Sequence, residues 1–131
     1  MLKESIICLS IVIVIFLGNY MTQNYTIESI DEIENKLNNI RIKLESNKEQ
    51  INQEEIENDT NEVKEEWRER YEKLAYFIEH DELEKVETNI TGIRGEIEYE
   101  DYGEVISKID QTIFIMNHIE DKYAFTLQNI F

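Results

Sequence analysis

Between residues 6 and 17 every side chain but Ser10 is apolar, and Gly18, Asn19, Tyr20 and Met21 carry the stretch on without a charge. A run this apolar decides where the chain sits, because it is a candidate for insertion into lipid. Ten of the residues are Ile, Val, Leu or Phe, namely Ile6, Ile7, Leu9, Ile11, Val12, Ile13, Val14, Ile15, Phe16 and Leu17. At about −0.3 to −0.6 kcal/mol each they supply roughly −3 to −6 kcal/mol for insertion. As a helix, residues 6–21 measure roughly 24 Å against a hydrocarbon core of about 30 Å, a mismatch that Lys3 and Tyr20 relieve at the two interfaces.

The rival reading is a cleaved signal peptide. Cleavage favours small residues at two positions separated by one, and Gly18 has bulky Phe16 in that place. The expectation is therefore an uncleaved anchor over residues 1–22 and one domain over residues 23–131. Lys3 and the terminal amine precede the run, and no basic residue follows it until Lys36, which puts the N-terminus in the cytoplasm and the rest outside the cell membrane. Cys8 is the sole cysteine and reads as a small apolar helix residue.

Beyond the anchor the chain is acidic. It has 29 Asp and Glu against 13 Lys and Arg, a net charge of −16, and such a surface is repelled by phosphate backbones and anionic headgroups. No nucleic-acid partner is expected. Proline is absent and there are 4 glycines, a composition that favours long helices over a multistranded sheet. The fold class expected is all-α, an N-terminal transmembrane helix followed by an antiparallel four-helix-type bundle.

Ile30, Ile33, Leu37, Ile40, Leu44 and Ile51 fall on the a and d positions of a heptad interrupted by Asn47. This stripe suits a bundle face, with a coiled-coil seam to a second copy as the alternative. Asp59 and Glu62 have the spacing of a capping box. A turn confined to residues 46–48 would give a following helix of about 46 Å, longer than the roughly 35 Å climb from the membrane. The main turn is accordingly expected at residues 58–61, with a kink near Asn47. Asp81 and Glu84 repeat the capping spacing, so the His80-Asp81-Glu82-Leu83-Glu84 stretch reads as the corner that opens a helix. The expected helices are about 24–57, 60–79, 82–98 and 102–119, followed by a tail. Gly92 and Gly95, inside the third, suggest close approach of a neighbour. The apolar tail with Leu127, Ile130 and Phe131 either docks on the bundle or is presented to a partner.

Motifs for chemistry are wanting. Glu three residues before His, the di-iron bundle spacing, fails at both His80 and His118, which follow Phe77 and Ile115 at that distance. Sharing one zinc or manganese ion between the two histidines needs their helix ends to adjoin. Asp59-Thr60-Asn61-Glu62 lacks the glycine and later ligands of a calcium loop. No phosphate-binding glycine loop, nucleophile elbow or zincin motif occurs. The expectation is a non-enzymatic protein without cofactor or metal. Trp67, Tyr71 and Phe77 stand at helical spacing, which fits a core stripe or, alternatively, the grip of a sensor-type bundle on a ligand.

The layout resembles the domain of unknown function 4363 family, small membrane-anchored helical proteins of Firmicutes. The resemblance rests on the anchor, on Trp67 thirteen residues before His80, on the His80-x-Glu82-Leu83 corner and on the closing Asn129-Ile130-Phe131. Where many members carry an acidic turn with tryptophan after the first soluble helix, this chain has Lys48-Glu49-Gln50-Ile51. The resemblance implies a helical domain without accepted catalytic residues and a membrane-embedded partner. Together these features point to an accessory or scaffold module that contacts another membrane protein, or itself, through Trp67, Tyr71, His80, Leu127, Ile130 and Phe131.

Overall fold

In the computed structural model the described residues are 1–46 and 50–128, with side chains described to residue 124. They form four helices: α1 (Leu2–Ser46), α2 (Gln53–Leu74), α3 (His80–Glu98) and α4 (Tyr102–Gln128). Each packs on its neighbours in sequence, and α4 closes back on α1. Short connections make consecutive helices antiparallel, so the bundle has a near end, beside residues 22–26 of α1, and a far end beside Ser46.

The apolar run and the first bundle helix are one unbroken helix. Its 18-residue window of mean hydropathy 2.1 is long and apolar enough to cross a membrane, and none of that window is buried against the rest of the chain. Burial begins at Thr26, Ser29 and Ile30, where the stripe meets its neighbours. Ile30, Ile33, Leu37, Ile40 and Leu44 are between 0% and 2% exposed, and with Val63, Trp67, Val86, Ile90, Ile93, Ile109 and Met116 they form a single core. The heptad stripe is consumed inside the bundle, so it is not an open seam for a second copy.

The antiparallel register of α1 and α2 is pinned by polar contacts. Lys73 lies over the Tyr25 ring at 5.5 Å, Arg70 reaches the Ser29 hydroxyl at 3.1 Å, Lys36 pairs with Glu66 at 3.2 Å, and Lys43 holds both Glu55 and Asp59 at 2.6 Å. Between α1 and α4, Gln23 donates to the Tyr123 carbonyl at 3.3 Å and Arg41 pairs with Asp110 at 2.6 Å.

The first turn is not at residues 58–61. Those residues are inside α2, where Thr60 is buried and donates its hydroxyl to the Ile56 carbonyl at 2.8 Å, and Asp59 faces Lys43 instead of capping. The cap is Asn52, which has extended backbone and accepts from the Glu55 N–H at 3.3 Å. Residues 50–52 and 75–79 are not helical, so the helix is shorter than a turn near Asn47 alone suggests. The 22 residues of α2 span about 33 Å, which fits the climb. Asn47 lies outside the described residues.

The second corner also starts earlier than its acidic spacing suggests. α3 begins at His80, and its N-cap residue, Glu79, makes no side-chain capping bond, so Asp81 is already in the first turn and no Asp81–Glu84 box forms. The cap is tertiary. The Glu79 N–H donates to the Tyr123 hydroxyl at 2.7 Å, and Lys122 pairs with the Glu79 carboxylate at 3.0 Å. Ile78, 4% exposed, pins residues 75–79 to the core.

At the far end α3 closes in a Schellman motif. The Glu100 N–H bonds to the Ile97 carbonyl at 3.0 Å and the Asp101 N–H to the Glu96 carbonyl at 3.0 Å, with Glu100 at φ 57°, a position that favours glycine. Asp101 then caps α4, accepting from the Glu104 N–H at 3.1 Å. Of the two glycines inside α3, only Gly92 lies under a neighbour, where a Cβ would sit 3.2 Å from the Lys108 side chain; Gly95 faces open space. α4 runs past residue 119 to Gln128, so part of the expected tail is helix.

Candidate functional site

Trp67, Tyr71 and His80 form a ladder from the core to the surface. Trp67 is 2% exposed and meets Tyr71 edge to face, with ring centroids 6.3 Å apart. Tyr71 in turn meets His80 edge to face at 5.5 Å, its hydroxyl 3.1 Å from His80 Nε2. His80 is exposed, with Glu84 at 4.0 Å. The three are brought together because α2 and α3 cross at the near-end corner. The Trp67 side chain packs as core, with an indole N–H that is buried and lacks a hydrogen-bond partner among the described residues. Burial and neighbouring Glu84 and Glu87 push the Tyr71 hydroxyl above its ordinary pKa. The Leu127 side chain, Ile130 and Phe131 lie outside the described residues.

Two electrostatic clusters sit on α1 and were not legible as spacing within one helix. On the α2 side, Arg70 bridges Glu32, Glu66 and Ser29, while Lys36 reaches Glu66 and Glu62. Burial works against ionisation of Glu66, but its bonds to Lys36 and Arg70 outweigh that and hold its carboxyl below the usual range. On the α4 side the balance is reversed. Burial, then Glu120, then Asp31, push Glu34 up, and burial, Asp31 and Asp121 push Glu120 up; Glu34 Oε1 is buried without a hydrogen-bond partner among the described residues. The sequence signal that would have found both clusters is charge across the α1–α2 and α1–α4 interfaces, which needs the register.

His118 is exposed on α4. Among the described residues no three His, Cys, Asp or Glu side chains group as a metal ion would require. The outward faces carry a few large apolar side chains, among them Phe114 at 75% and Ile42 at 59% exposure, and the corners carry Tyr76 at 89% and Tyr99 at 85%.

No curated protein and no solved structure matches the chain. A family model does, described as a domain of unknown function (DUF4363), and its match over residues 20–130 takes in the end of the apolar run and the whole bundle. The chain belongs to the DUF4363 family.

Proposed function

We propose that this chain is a single-pass protein of the cytoplasmic membrane, anchored by residues 6–21 with its N-terminus in the cytoplasm, that displays an acidic helical bundle outside. There it serves as a non-enzymatic accessory or scaffold for another membrane protein or a second copy of itself. The observation that most favours this reading is the unbroken α1, whose exposed apolar half continues directly into a helix with a filled core face. A cleavable leader gains nothing from being one rigid piece with the folded domain. Because the heptad stripe is buried, contact with a partner falls to outward side chains such as Phe114 and Ile42.

The test is a tagged full-length chain carrying a photo-crosslinker at position 114 or 42 in native membranes. A single adduct of defined mass, absent from a Phe114→Ser control crosslinked at 42, supports the scaffold reading. Uncomplexed monomer at both positions refutes it. Extraction of the same membranes with alkaline carbonate checks the anchor separately, since release of the chain, or a mature N-terminus near residue 19, refutes that part.

A further inference from the structure

The register fixes what lies level with the end of the apolar run. Tyr25 is opposite Lys73, and α2 descends toward the run, so the corner that follows Leu74 comes down beside residues 22–24 of α1. At 1.5 Å per residue this places Tyr76 about 2–5 Å above Met21, the last residue of the run. On the other side Tyr123 is level with Gln23, and α4 continues to Gln128, about 7.5 Å further down.

The near end is aromatic. Tyr20 is 62% and Tyr76 89% exposed, and Tyr25, Phe77 and Tyr123 pack part-buried against the core at the same level. Tyr76 is the odd one, since nearly its whole ring is offered outward at a corner where Ile78 already supplies the burial. Tyrosine with an apolar body and a polar tip is the side chain enriched at the headgroup level of membranes. An unbroken α1 allows the corner no freedom to stand away.

We propose that the near end of the bundle, with Tyr76 at its α2–α3 corner, rests in the headgroup layer of the membrane that α1 crosses. The contact is made by ring amphipathicity and not by charge, because Lys122 is already paired with Glu79 and Glu82 and the surroundings are acidic. It rests on the reading of residues 6–21 as a membrane anchor.

The test uses the full chain in phosphatidylcholine vesicles with Cys8→Ser as background and one nitroxide label each at Ile13→Cys, Tyr76→Cys and Tyr99→Cys. Tyr99, 85% exposed, is the matching corner tyrosine at the far end, and Trp67 fluorescence checks that each variant is folded. Collision with dissolved oxygen reports lipid and collision with a water-soluble nickel chelate reports water. The expected result is an oxygen-to-nickel ratio several-fold higher at 76 than at 99, and higher still at 13. A ratio at 76 equal to that at 99, with 13 embedded, overturns the proposal and leaves the anchor standing. Low collision with both reagents at 76 means a protein covers the corner and overturns it too, and a watery ratio at 13 overturns the anchor and the proposal together.

Discussion

Proline substitutions at residues 53 and 60 separate the two possible positions of the first turn. In the structure Thr60 is inside α2, and a ring there removes its N–H bond to the Ile56 carbonyl and clashes with that carbonyl, a cost of about 3 kcal/mol or more. It also deletes the hydroxyl bond of a residue that is 2% exposed. Gln53 is the first helical residue after Asn52, whose φ of −83° and ψ of 95° suit a residue before proline. Gln53→Pro gives up side-chain bonds to Glu57 at 3.0 Å and the Ile97 carbonyl at 3.5 Å. Stiffening of the unfolded chain offsets about 0.4–1 kcal/mol of this loss. The protein has one tryptophan and it is in the core, so urea unfolding of the full chain in micelles is read by its fluorescence. With a slope of about 1–3 kcal/mol per molar, Thr60→Pro lowers the midpoint by roughly 1–3 M, and Gln53→Pro by a small fraction of that. A turn at residues 58–61 would reverse the order, with proline tolerated at 60 and disruptive at 53. That reversal refutes the assigned helix boundaries.

Four further outcomes follow from the same geometry. Glu34 and Glu120 have raised carboxyl pKa values, so the folded state binds more protons than the unfolded one between 4.5 and those raised values, and their contribution to stability falls as pH rises through that window. Glu34→Gln should raise the urea midpoint at pH 7 and flatten this part of the profile; an unchanged profile refutes the burial argument. Glu66, held low, has the opposite sign, and its contribution is present above pH 4.5 and lost as pH falls through its folded pKa. Arg70→Ala should move that acid limb toward higher pH, which a titration of the midpoint below neutrality detects. Glu100→Gly should stabilise by about 1 kcal/mol by relieving the left-handed residue, and Gly95→Ala by about 0.5–1 kcal/mol because its Cβ meets open space; loss of stability in thermal melts counts against either assignment.

The apolar run, the stripe from Ile30 to Leu44, and the break between the helices expected at 82–98 and 102–119 were legible because each depends on neighbours within one turn or one heptad. The corners were harder. Asn52 three residues before Glu55 carries the same capping signature as Asp59 and Glu62, and local spacing cannot rank the two. What decides is that Asp59 finds Lys43 and Thr60 finds the core, both contacts made across helices. The α3 start was misread for a related reason, since its cap comes from Tyr123, 44 residues away. Of the described residues singled out for contact, Trp67 turns inward, and His80 and the edge of Tyr71 reach the surface. The carboxylate group of Asp31, Glu34 and Glu120 was invisible because no periodicity links α1 to α4.

A shaft without a hinge also sets reach. From residue 22 to residue 46, α1 rises about 36 Å, so if its lower half is held in lipid as proposed, the Tyr99 tip stands at one constant stand-off from the bilayer instead of sweeping a hemisphere. Encounter is then reduced to sliding in the plane and spinning about the normal. A partner of the proposed kind would then have to present its contact at a fixed height, and one with too short an ectodomain would pass beneath unmet.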